Sequence, residues 1–196
     1  MQKGRLFIVF VALSALAWVL FVPFYALLFS WTEYASGINW IYLPHGLRMM
    51  LVLLFGIPGA IGFSIGAQIL SVTGLDGIHV NTWALSPVAF VPGLAAYLAA
   101  WLTIKNWPGK ELVPTFSHGL SFIDGRRLVL LAFVSAILNS AGHVAVRAIF
   151  GQAQRPFDID FLMMFMGDFF GALLLLYLLR WAIIFFEARK SRMELR

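Results

Sequence analysis

The sequence predicts an all-α fold, a polytopic transmembrane helix bundle of about six spans that forms one domain over residues 1–196. The chain is 61% hydrophobic and only 12% charged, whereas a soluble domain carries about twice that charged fraction. Its mean hydropathy is +0.88. Its 19 Phe and 7 Trp exclude a disordered chain, because such chains are poor in aromatic residues.

Each span is predicted from a run of mostly apolar residues, about 20 of which cross a bilayer as a helix. The predicted spans are about 6–29, 39–55, 57–72, 82–104, 128–150 and 161–186. The third is short and follows the break at Gly56-Ile57-Pro58. The first is too long for a signal-peptide core and lacks a small-residue cleavage site, so we interpret it as an uncleaved anchor.

The basic residues predict an orientation for these spans. Positive residues favour cytoplasmic loops. With the N-terminus inside, eleven of the 14 Lys and Arg residues fall in the head, the loop 105–127 and the tail from Arg180. The predicted outer loops 30–38, 73–81 and 151–160 contain one basic residue, Arg155. We therefore expect both termini in the cytoplasm and a location in a bacterial inner membrane.

Composition excludes several kinds of site. The chain has no cysteine, so it has no disulfide, thiolate metal site or cysteine nucleophile. The net charge of +5 is distributed among short loops and the tail, which argues against nucleic acid as a partner. We expect no cofactor and no metal, because arginines repel a cation and the spans contain one carboxylate. The expected partner of the surface is the lipid bilayer.

Polar residues inside the predicted spans are the candidate site. At a rise of about 1.5 Å per residue, those of four spans fall about 10 Å below the outer boundary. On the fifth span, Ser135 begins a stripe whose members are four residues apart and therefore share a face. On the second span, His45 and Arg48 are three residues apart and therefore also share a face. The candidate residues are His45, Arg48, Gln68, Asn139, His143, Arg147 and Asp168.

A charge inside the hydrocarbon costs about 2.5–3.5 kcal/mol on insertion scales, so such residues face the bundle and pair. We expect Asp168 to pair with Arg48, Arg147 or both. Two arginines and two histidines against one aspartate leave an excess of donors, which suits a small anionic ligand that enters from outside. The alternative is that these groups fix helix register and bind nothing, with Arg147 extending to the interface.

Small residues predict close helix approaches. Two GxxxG patterns are present, Gly62 with Gly66 and Gly167 with Gly171, and such patterns allow helix backbones to meet. The second pattern brackets Asp168. We expect these contacts to lie within the chain, because a six-span bundle has many to make.

Two segments, Trp40 to Leu70 and Met163 to Leu179, resemble the bacterial membrane-associated sensor domain, the first family of that name. They cover about a quarter of the chain. The resemblance implies a multi-span input module, which in that family is joined to histidine kinases or cyclic-di-GMP enzymes. This chain is shorter and ends in FEARKSRMELR, so a signal would pass to a separate protein. His45 and Arg48 lie where the family has small or apolar residues, so no family role transfers to them. The matching positions are Pro44, Gly46, Gly56, Gly167, Asp168 and Gly171.

Three classes of function remain open from the sequence. The first is a non-enzymatic sensory or partner-binding module, coupled to another inner-membrane or cytoplasmic signalling or transport protein. The second is the substrate-capture component of a small-molecule importer, or a structural subunit of a membrane complex. The third is an intramembrane enzyme with His45 or His143 as acid or base, which no nucleophile or metal-binding set accompanies. We favour the first class and expect no catalytic residue.

Overall fold

The chain folds into six α-helices and one short β-hairpin, in a computed structural model that describes residues 2–35, 38–74, 90–104, 124–149 and 156–194. The predicted helical class is confirmed. The helices are α1 Gln2–Phe29, α2 Leu43–Phe55, α3 Ile57–Thr73, α4 Val91–Thr103, α5 Gly125–Ile149 and α6 Phe157–Glu194. After α1 come a 3-10 turn, Ser30–Thr32, and the antiparallel strands β1 Glu33–Ala35 and β2 Ile38–Asn39.

Three of the described helices are long and apolar enough to cross a membrane, through Lys3–Thr32, Gly125–Val146 and Asp158–Ala182. The other three, α2, α3 and α4, contain 13, 17 and 13 residues. At about 1.5 Å per residue they measure about 20–26 Å, which is less than a hydrocarbon core of about 30 Å. Residues 82–89 of the predicted fourth span lie outside the described residues.

The outward surface of the long helices is apolar, as expected of a surface in contact with lipid. Leu27 of α1 is 79% exposed and Trp181 of α6 is 67% exposed. The side chains between the helices form a separate buried core, which includes Met49, Val52 and Phe63. The chain therefore carries apolar residues both inside the bundle and on its surface, a distribution that suits a bilayer rather than water.

Glycines set the distance between α1 and α3. A methyl group on Gly66 would lie 2.8 Å from the carbonyl oxygen of Ala15, and one on Gly62 would meet the carbonyl of Val11. The first GxxxG pattern therefore lies against α1, within the chain. This contact holds Trp18 of α1 in the bundle, where its ring lies 5.4 Å from that of Phe63.

The second GxxxG pattern lies against the segment that leads from β2 into α2. A methyl group on Gly167 would meet the carbonyl oxygen of Asn39, and one on Gly171 would meet the carbonyl oxygen of Tyr42. The backbone N–H of Tyr42 donates to the carbonyl of Gly167 at 2.9 Å. The absence of side chains at these two glycines thus allows α6 to touch the backbone ahead of α2.

The start of α2 differs from the predicted span. Helix α2 begins at Leu43 rather than near Asn39, and Pro44 occupies its first turn. Proline is favoured there because the first helical N–H groups have no partner within the helix. Asn39 is instead part of β2. His45 therefore lies in the first turn of α2, buried against α5 and α6, and not a turn and a half below the start of a helix. The turn to α3 is made by Gly56, whose φ of 61° favours glycine.

Candidate functional site

His45 lies at the centre of a buried polar cluster. Its side chain is fully buried, and its ring touches two other helices. Nε2 lies 3.0 Å from the hydroxyl of Ser135 on α5. Nδ1 lies 3.5 Å from Oδ1 of Asp168 on α6. One imidazole therefore joins α2, α5 and α6.

Asp168 has a second partner on α5. The amide nitrogen of Asn139 donates to its Oδ2 at 2.5 Å, and both side chains are buried. Asn139 is four residues after Ser135, so both project from the same face of α5. The predicted stripe on α5 therefore supplies both Ser135, which contacts His45, and Asn139, which contacts Asp168.

Arg48 is one turn further along α2 and is 6% exposed. Its guanidinium carbon lies 5.0 Å from the ring centroid of Trp18 and 5.1 Å from that of Tyr42, and it lies over both rings. A cation over an aromatic face is stabilised by the negative charge of that face. Within the described part of the chain, its hydrogen-bond acceptor is Nδ1 of His45, which lies 3.4 Å from NH1. Nε of Arg48 is buried and has no hydrogen-bond partner in the described part of the chain.

Among the described side chains, Asp168 pairs with His45 and Asn139 and not with Arg48, whereas its predicted pairing with Arg147 stays a prediction. Arg48 contacts His45 and not the carboxylate itself, so the imidazole lies between the two charges. Arg147 follows on α5, and its side chain lies outside the described residues.

Two residues of the predicted polar cluster, His143 and Gln68, make no hydrogen bond to His45 in the described structure. His143 is half-buried one turn after Asn139 and is near enough to His45 for an electrostatic interaction. Gln68 is on α3, and within the described residues no hydrogen bond links its buried amide to the cluster. The described residues also contain no group of three His, Cys, Asp or Glu side chains that could hold a metal ion.

The aromatic wall of the site was not predicted from the sequence. Tyr42 is fixed by Tyr25, whose ring meets it edge-on at 5.7 Å and whose hydroxyl donates to the carbonyl of Ile41 at 2.6 Å. Trp18 lies near the middle of α1, whereas tryptophans of membrane proteins concentrate at the two interfaces. That unusual position was the available signal for a tryptophan with a specific partner.

The two contacts of Nδ1, with NH1 of Arg48 and with Oδ1 of Asp168, cannot both be favourable at once. Arg48 can only donate, so its contact requires a lone pair on Nδ1. An ionised Asp168 can only accept, so its contact requires a proton on the same atom. A neutral imidazole therefore satisfies either Arg48 or Asp168 through Nδ1. Oδ1 of Asn139 is also buried and has no hydrogen-bond partner among the described residues.

Comparison with known proteins supplies no relative. No family model, no curated protein and no solved structure matches this chain. The resemblance to the membrane-associated sensor domain thus stays a prediction from the two sequence segments.

Proposed function

We propose that this protein is a non-enzymatic binding module of the bacterial inner membrane that holds a small anion, of the carboxylate class, at Arg48. The observation that carries the proposal is the state of this guanidinium. It is buried and permanently charged, no described carboxylate lies within ion-pair distance of it, and Asp168 is engaged by other groups. In this respect it differs from an arginine that is buried in order to form an ion pair.

The energetics of burial support an acceptor that the described residues do not provide. Burying a charge without a partner costs several kcal/mol, and buried donors are satisfied in the great majority of cases. The rings of Trp18 and Tyr42 stabilise the positive charge but accept no conventional hydrogen bond along the N–H directions. Among the described residues, the one hydrogen-bond acceptor of Arg48 is the imidazole nitrogen at 3.4 Å, which Asp168 shares.

A carboxylate is the ligand class that fits a guanidinium best. Its two oxygens match the parallel N–H groups of arginine and accept two charge-assisted hydrogen bonds. The neighbouring rings of Trp18 and Tyr42 suit an apolar substituent on such an acid. A small monocarboxylate therefore satisfies both the charge and the surroundings of Arg48.

The cellular arrangement in this proposal follows from the charge distribution in the sequence. Six spans with both termini in the cytoplasm put the β-hairpin and the cluster in the outer half of the membrane. A ligand would then arrive from outside, and the signal would pass to a separate signalling or transport protein. The resemblance to a sensory input domain supports that reading.

The test is the thermal stability of the detergent-purified protein with sodium acetate, against sodium sulfate at equal ionic strength. A ligand at ten times its Kd adds about 1.4 kcal/mol to the free energy of unfolding. We expect acetate to raise Tm by a few degrees in the native protein and in Arg126→Gln, whose arginine is exposed on α5. Arg48→Gln should show no acetate effect. An equal acetate effect in Arg48→Gln, or none in the native protein, contradicts the proposal and favours a role in helix register.

A further inference from the structure

Nδ1 of His45 lies near both Arg48 and Asp168, and this arrangement links the binding of an anion to the binding of a proton. Resting on the anion site proposed above, we propose that His45 and Asp168 form a binding site for one proton, which is taken up with each monocarboxylate at Arg48. The acid is then held as an anion plus a proton, at two neighbouring positions. The observation that leads to this is the competition of Arg48 and Asp168 for Nδ1, at 3.4 and 3.5 Å.

The protonation state follows from which group occupies Arg48. Without an anion, the guanidinium turns to Nδ1 of His45, its only acceptor among the described residues, so Nδ1 keeps its lone pair and Nε2–H donates to Ser135. With a carboxylate on Arg48, the guanidinium no longer needs that lone pair. A proton from bulk water then binds Nδ1, and the new N–H group donates a hydrogen bond to Oδ1 of Asp168. The hydrogen bond from Nε2–H to Ser135 is kept. The step forms one N–H bond and breaks only a bond of hydronium or water.

Charge balance requires the same proton. With His45 neutral, Arg48 and an ionised Asp168 cancel. A bound monocarboxylate adds one negative charge in a region of low dielectric, where an unbalanced charge is costly. A proton on the His45–Asp168 pair restores neutrality. The proton lies next to the buried carboxylate, where opposite charge holds it best.

No other charged group in the described surroundings of His45 is placed to take up the proton that balances the bound anion. α3 has no titratable residue, α4 has only Tyr97, and α1 brings Tyr25 to the neighbouring Tyr42. His143 on α5 interacts electrostatically with His45 and disfavours a second positive charge when it is itself charged. The pair is thus set to take one proton and not two. Among the described side chains, the charged and titratable groups around the ring and its partners are Tyr42, Arg48, His143 and Asp168.

The experiment measures the acetate Kd of the intact protein at several values between about pH 6 and about pH 8, where acetate stays ionised. Uptake of one proton per anion predicts a Kd that weakens about tenfold for each unit of rise in pH. Asp168→Asn removes the negative charge that the proton balances, so its Kd should be independent of pH. Asp158→Asn, an exposed carboxylate on α6, is the matched control and should keep the tenfold dependence.

A second measurement is independent of the Asp168 variant and of its folding. In the native protein labelled with ¹⁵N-histidine, the His45 ring, assigned with His45→Gln, should carry one proton near neutral pH and two after acetate is added. Acetate binding with a Kd independent of pH and an unchanged ring overturns the proton site and leaves the anion site standing. An absence of acetate binding under all conditions overturns both proposals.

Discussion

Nδ1 of His45 lies 3.5 Å from Oδ1 of Asp168, and this contact completes a ring of side chains that passes through three helices. From Ser135 on α5 the ring runs to His45 on α2 and Asp168 on α6, and it returns to α5 at Asn139. Because Ser135 and Asn139 are one turn apart on the same face, α5 contacts both other helices at one level. The ring therefore fixes the rotation of α2 and α6 relative to α5.

Removal of Asn139 from this ring tests its contribution to stability. Asn139→Ala takes away the 2.5 Å hydrogen bond to the buried carboxylate. We expect a loss of about 1–3 kcal/mol in the free energy of unfolding, since a buried acceptor is left unsatisfied. The loss is measured by denaturant titration in mixed micelles.

Ser140→Ala is the matched control for that change. Ser140 is the next residue on α5 and is also buried, but its hydroxyl has no hydrogen-bond partner in the described part of the chain. Its replacement should not lower stability, because it removes a buried hydroxyl that is already unsatisfied. Equal losses in the two variants would mean that the polar ring does not stabilise the bundle.

The contact of α6 with the segment before α2 is tested by Gly171→Ala. The added methyl group would meet the carbonyl of Tyr42, which is backbone and cannot rotate away. We expect a loss of about 1–3 kcal/mol in stability. Because the ring of Tyr42 lies against Arg48, the acetate Kd should also weaken. Gly4→Ala, at a position with no atom within 4 Å, should have neither effect. Native-like stability and affinity in Gly171→Ala would show that the approach is looser than described.

The aromatic surroundings of Arg48 are tested by graded changes at Trp18. Trp18→Leu removes the ring under the guanidinium, and Trp18→Phe retains a weaker one. We expect Trp18→Leu to lower stability more than Trp18→Phe, with a difference of about 0.5–2 kcal/mol. Trp181→Leu, at an exposed position on α6, should lower stability least. The same order measured in an Arg48→Gln background would mean that packing, and not the cation, causes the effect.

The predicted orientation is tested with single cysteines, which the natural chain lacks. In intact cells, a membrane-impermeant maleimide should label Tyr34→Cys in the hairpin and Asp158→Cys at the start of α6. Lys3→Cys and Arg192→Cys should react only after lysis, because both termini are predicted to be cytoplasmic. Labelling of Lys3→Cys in intact cells would reverse the orientation, and labelling of only one terminus would require an odd number of spans.

Much of the helical frame and part of the cluster could be predicted from the sequence. Apolar runs located the helices, because burial in lipid requires long uninterrupted apolar segments. The four-residue spacing of Ser135 and Asn139 placed them on one face, and similar depth brought His45 and Asp168 together. These predictions depend on period and rise, which are local properties of a helix.

The remaining features depend on contacts between distant residues. Depth alone did not give the rotation of α3, so Gln68 was included in a cluster with which it makes no hydrogen bond in the described structure. The strands of the hairpin have three and two residues, too few to show an alternating pattern. The preference of Asp168 for His45 and Asn139 over Arg48 arises because Trp18 and Tyr42 hold the guanidinium to one side.

The most direct measurement is a crystal structure of the protein with bromoacetate, in which the anomalous signal of bromine locates the ligand. An anion site at Arg48 predicts a bromine peak beside Trp18 and Tyr42, with the carboxylate on the guanidinium of Arg48, and no such peak in Arg48→Gln. A guanidinium that remains bonded to His45 alone, with bromine found elsewhere or nowhere, would contradict it.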